Sequence, residues 1–201
     1  SKTIDGTVTI EQNFYVYSQK DYIMFDTVVS NEGTIKTNYI APLVVGEVIS
    51  SNNGDFRFLS VPFDNDDFVR YSSQPLTEAT ESYEVTTIFD NDTRKGIVVG
   101  SVTHDTWKTG IKSIENGIAV ISGVTSKLTR DTLPHGFVKG KKVSSSKIFL
   151  GFYKDYRDGL EEYGSANGII APPLPWDKGI PMGWNSWSAV AKDINYDIYT
   201  N

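Results

Sequence analysis

Turn-forming clusters punctuate the first 152 residues so closely that only short strands fit between them. Thr7–Tyr17 and Tyr22–Asn31 are rich in Val, Ile, Tyr, Phe and Thr and flank Ser18-Gln19-Lys20-Asp21, the pattern of a hairpin. Leu43–Ser50 leads through Asn52-Asn53-Gly54-Asp55, a strong turn, into Phe56–Val61. Glu81–Phe89 and Gly96–His104 flank the polar run 90–95, and Trp107–Ile114 and Ile118–Thr125 flank Glu115-Asn116-Gly117. Lys147–Tyr153 reads as a last strand. No helical period interrupts this region, and no alternation of helix with strand suggests a parallel sheet. The pattern admits an antiparallel sandwich or a barrel. At this size it predicts an all-β domain, a large antiparallel two-sheet β-sandwich.

Composition narrows the function classes. Of 201 residues, 39% are hydrophobic and 12% aromatic, enough to build a packed core and too many for a disordered chain. The formal net charge of −6 and pI near 4.9 argue against a nucleic-acid partner, because phosphate binding needs a basic face. Cys is absent, so disulfides, thiolate chemistry and zinc–thiolate sites are excluded. No apolar run reaches the roughly 18 residues that a membrane-spanning helix needs. No signal peptide is visible, and Ser1-Lys2 without Met reads as a trimmed start.

The pattern changes after residue 152. Tyr153, Tyr156, Leu160 and Tyr163 recur at helical spacing with charges between them, which predicts a helix over Asp155–Tyr163 stopped by Gly164. Ala171-Pro172-Pro173-Leu174-Pro175 predicts a stiff extended linker, since each Pro removes a donor and holds its predecessor out of the helical region. The expected organisation is a sandwich over 1–152, a helical connector and linker over 153–179, and the start of another unit over 180–201.

That last unit opens with Pro181-Met182-Gly183-Trp184-Asn185-Ser186-Trp187. The phrase resembles the first barrel strand of the alpha-galactosidase clan of glycoside hydrolases. The order of sandwich, helical connector and motif resembles glycoside hydrolase family 36 within that clan. The resemblance implies a galactose-mutarotase-like super-sandwich followed by a fragment of a (β/α)8 barrel. It implies that Trp184 helps wall the first sugar subsite, where an aromatic face packs on the apolar C–H edges of a pyranose. It further implies a retaining mechanism whose two carboxylates lie on later barrel strands. Asp193 and Asp197 follow the motif but match nothing catalytic in it. No cofactor is implied, and a bacterial periplasmic or extracellular location is the expectation.

Other constellations carry weaker signals. Phe63-Asp64-Asn65-Asp66-Asp67-Phe68, with Arg70 just beyond, admits three readings. It can be a calcium loop, since hard cations take clustered carboxylate and amide oxygens, although the spacing is not that of an EF-hand. It can be a loop over the barrel mouth, where Asp64, Asp66 and Arg70 meet sugar hydroxyls. It can also be a polar turn. His104 beside Asp105 does not make a catalytic pair, because neighbours on a strand point to opposite faces. His104 and His135 give no metal triad and read as structural or surface residues. The basic segment Gly136–Gly140 with Lys141 and Lys142 reads as a solvated hairpin tip. Asn91-Asp92-Thr93 fits the glycosylation acceptor pattern without further support.

Together these predict a non-catalytic β-sandwich from a retaining alpha-galactosidase-like hydrolase, inactive alone. Its partners would be an alpha-galactoside or related glycan and the barrel of its own polypeptide, with a homo-oligomer as a further option. A stand-alone carbohydrate-binding module and a structural dimerisation domain are the competing readings.

Overall fold

The structure is a computed structural model that describes residues 2–4, 8–48, 54–63, 70–114, 117–123, 136–180, 182–183 and 187–200. In chain order the described strands are β1 (Lys2–Ile4), β2 (Val8–Val16), β3 (Tyr22–Thr37), β4 (Ile40–Val45), β5 (Phe56–Ser60), β6 (Ser72–Pro75) and β7 (Glu81–Tyr83). They continue with β8 (Val85–Asp90), β9 (Gly96–Ser101), β10 (Thr109–Ile114), β11 (Gly117–Ser122), β12 (Val138–Ser144) and β13 (Ile148–Tyr153). Helix α1 (Tyr156–Ile170) follows, then the short helices α2 (Trp187–Val190) and α3 (Tyr196–Thr200).

The strands form two antiparallel sheets, as the turn pattern predicts. The larger has nine strands in the order β1-β2-β3-β13-β9-β8-β5-β6, with β12 also on β3. The smaller runs β4-β11-β10-β7. Phe25, Phe58, Ile88, Val99 and Ile148 of the larger sheet meet Ile111, Ile118 and Val120 of the smaller, all buried. The opposite face of the larger sheet is covered by α1, which packs Leu160, Tyr163 and Ala166 against Met24, Val98, Phe149 and Tyr153. Central strands β9 and β13 are therefore covered on both faces along most of their length, Phe152 excepted, and read as nearly continuous apolar runs.

Several boundaries differ from the sequence reading. Glu81–Phe89 is not one strand: Glu84 sits at φ 62°, in the left-handed region, and splits it. The chain thereby passes from β7 in the small sheet to β8 in the large one. The segments on either side of the Asn-Asn-Gly turn, β4 and β5, likewise lie in different sheets and do not pair. The basic segment expected to be a hairpin tip is instead β12, paired along the far half of β3. Its three exposed lysines, Lys139, Lys141 and Lys142, flank a register shift between Gly140 and Lys142, so charge and an irregularity together masked the strand.

Helix α1 runs through Gly164 to Ile170 rather than stopping. Asp155 caps it, accepting from Arg157 N at 3.1 Å. Its start is also pinned by Tyr156 N donating to Arg94 O at 2.9 Å and by the Tyr156 ring stacked on Phe89 at 3.9 Å. Two glycines let the helix lie close to the sheet. A Cβ at Gly159 would stand 2.4 Å from the Tyr153 ring, and one at Gly100 would stand 2.7 Å from Glu84 O and 2.8 Å from Tyr163.

Candidate functional site

Of the residues expected to meet a sugar, Asp64, Asp66 and Trp184 lie outside the described residues, as does His135. Arg70 is described, exposed at the entry to β6, with the neighbouring Tyr71 72% exposed. The acidic segment departs from Phe63, whose ring lies 5.7 Å from that of Tyr83 and carries Lys108 Nζ at 3.8 Å from its centroid.

The final segment is exposed almost throughout. Leu174, Ile180 and Met182 are at least 90% exposed, and Trp187 is 62% exposed. Trp187 begins a helical turn, and no strand follows Tyr153 among the described residues.

The polar centre of the described structure lies where α1 crosses the β7–β8 corner. Glu84 Oε2 accepts from Ser101 Oγ and faces His104 Nδ1 at 2.8 Å, while Glu84 Oε1 accepts from Thr109 N at 3.2 Å. His104 Nε2 faces Asn167 Oδ1 at 2.9 Å, and Asn167 Nδ2 donates to Tyr163 O at 3.0 Å. Tyr163 Oη donates to Ser101 O at 2.6 Å, and burial first of all pushes the phenol up to about 12. Ser101 and His104 share one carboxylate oxygen rather than a hydrogen bond with each other. Histidine therefore cannot take the Ser101 proton, and the group is no nucleophilic triad. Its geometry joins a helix to a sheet.

Strand β9 ends at Ser101, so His104 and Asp105 lie in the irregular segment beyond it rather than on a strand as the sequence suggests. Asp105 lines a polar recess of about 220 Å³ with Asp26 and Lys147. That recess is already satisfied internally: Asp26 accepts from Asn13 Nδ2 at 2.8 Å and Tyr15 Oη at 2.9 Å, and Lys147 Nζ rests 3.9 Å from the Tyr15 centroid.

Where the small sheet stops short of the large one, an apolar groove of about 460 Å³ opens between Val16, Leu43, Val45, Ile97, Leu150 and Phe152. Its lining holds few convergent polar groups, so it lacks what a hydroxyl-rich ligand requires. Among the described residues no group of three His, Cys, Asp or Glu side chains could hold a metal ion. No described helix is long and apolar enough to cross a membrane.

No known family profile matches the sequence, and no curated protein matches it. Solved structures do. The galactosidase domain of the alpha-galactosidase-sucrose kinase AgaSK aligns over 96% of this chain with a TM-score of 0.56 and 15% identity. A GH36 alpha-galactosidase, AgaA from Geobacillus stearothermophilus, in complex with 1-deoxygalactonojirimycin, aligns over 73% of this chain and 22% of its own, at TM-score 0.49 and 12% identity. A galactose mutarotase related enzyme from Lactobacillus acidophilus aligns over 76% of this chain and 70% of its own, at TM-score 0.37 and 12% identity. This chain spans 29% of the AgaSK galactosidase-domain chain, and it shares the fold of that part: antiparallel sheets followed by a docked helix.

Proposed function

We propose that this chain is the non-catalytic N-terminal β-sandwich of a retaining glycoside hydrolase acting on alpha-galactosides. It serves as a scaffold, and it contributes one wall of the sugar pocket through Trp184, with Asp64, Asp66 and Arg70 at the rim. One observation carries the reading: the Pro181–Trp187 phrase follows a sandwich that aligns, over 96% of the chain, with a galactosidase domain. Hydrolysis would require two carboxylates about 5 Å apart on a barrel that follows residue 201. The sandwich supplies neither. A homo-oligomer would bring a second copy of the same scaffold.

The test has two parts. The coding sequence should continue past Asn201 into a barrel, and a stop codon there would hand the reading to a binding module or a dimerisation domain. In the continuing protein, Trp184→Ala should raise KM for an aryl alpha-galactoside about tenfold, roughly 1.4 kcal/mol of lost binding. An unchanged KM would remove Trp184 from the pocket.

A further inference from the structure

We propose that His104 is a proton-dependent clamp that holds helix α1 on the sandwich, closed when the imidazole carries both protons. The argument is one of donors and acceptors. Tyr163 O is a carbonyl and can only accept, so the Asn167 amide that meets it at 3.0 Å presents Nδ2 there. The Asn167 oxygen is thereby turned towards His104 Nε2, 2.9 Å away. On the other side of the ring, Nδ1 meets the Glu84 carboxylate at 2.8 Å. Both ring nitrogens face acceptors, and only the imidazolium can donate to both. In neutral imidazole one nitrogen turns a lone pair on an oxygen. Flipping the Asn167 amide to relieve this would set its oxygen against Tyr163 O.

The clamp spans two parts of the fold. Glu84 and Ser101 belong to the sandwich, whereas Tyr163 and Asn167 belong to α1. Glu84 faces the His104 ring from the β7–β8 corner, Tyr163 stands beside it on α1, and Asp105 follows it in the chain towards Asp26 and Lys147. A further tie, Lys20 Nζ to Glu162 Oε1 at 2.9 Å, joins α1 to the β2–β3 hairpin. Of the residue types that meet at this seam, histidine is the one that ordinarily exchanges its proton between about pH 5 and 8. Protonation strengthens docking, so docking is full on the acid side of that window and weakens as the pH rises through it.

Hydrogen exchange on the 201-residue chain tests this. Amide protection of peptide 156–170, corrected for intrinsic exchange and referenced to β13, should fall about threefold to tenfold from pH 5.5 to 8.5, the loss of one hydrogen bond. His104→Gln should abolish the pH dependence, and Asn167→Ala, at the edge of the cluster, should reduce it while leaving the sandwich folded. Equal protection at both pH values in the native chain overturns the proposal. So does an unchanged pH response in either variant.

Discussion

Two regions of this chain differ in how they cover aromatic residues: the sandwich buries a set of them while Phe14, Tyr71 and Phe152 stay exposed, whereas every aromatic described after Ala171 is exposed. In the sandwich with its docked helix, Phe149 is fully buried, Tyr22 and Tyr153 are nearly so, and Tyr163 lies against Phe149 at 5.7 Å between ring centroids. In the segment after Ala171, Trp176 is 60% exposed, Trp187 62% and Tyr196 79%. The difference teaches where stability resides. The sandwich buries its apolar surface on both faces of the large sheet, so it has what an independent core needs. The later segment carries apolar side chains that the described fold does not cover.

The comparison can be broken most directly by truncation. Phe149→Ala should cost about 3–5 kcal/mol in urea unfolding, whereas Trp187→Ala should stay within about 0.5 kcal/mol. A comparable loss from both would mean that the tail packs on the sandwich after all.

The next test concerns alkaline pH. The Tyr163 phenol is neutral in the fold, with its pKa raised from 10.0 to about 12 mainly by burial. An acid whose folded pKa is raised contributes stability below its unfolded pKa and loses it as the pH climbs through the folded one. Stability should therefore drop between about pH 10 and 12, by roughly 2–3 kcal/mol. Tyr163→Phe should flatten that drop, and a drop of equal size in the variant would place its origin elsewhere.

A smaller contrast lies within α1 itself. Gly159→Ala pushes a methyl into Tyr153 and Val98, so about 1–3 kcal/mol should be lost. Gly164→Ala meets nothing within 4 Å and should gain about 0.5–1 kcal/mol from helix propensity. Melting temperatures of the pair read both signs, and a loss at Gly164 would show that this face of the helix is in contact.

Much of the sandwich was legible because turns and strand composition are local. The Asp90–Lys95 turn joins β8 and β9 as its composition predicts, with Arg94 N donating to Asp90 O at 2.7 Å. The β2–β3 hairpin also forms around 18–21. Sheet membership was less legible. Nothing local to Glu84 announces a left-handed residue, and the crossing there is imposed by the two sheets it joins. The lysines of β12 hid a strand because charge on a sheet edge resembles charge on a loop. Gly164 read as a stop, but packing of Leu160, Tyr163 and Ala166 outweighs a propensity cost of about 1 kcal/mol.

The candidate site divides in the same way. The Pro181–Trp187 phrase is a sequence feature, visible without any fold. The contacts of His104 are not, since Glu84 lies 20 residues before it and Asn167 lies 63 after it. By itself the sequence determined an all-β chain with a helix after it, because strand length, turn chemistry and helical spacing are set by neighbours. Only the tertiary structure decided which strands share a sheet, where α1 ends and which acceptors surround His104. Those choices are made by burial and by hydrogen-bond satisfaction between residues far apart in the chain.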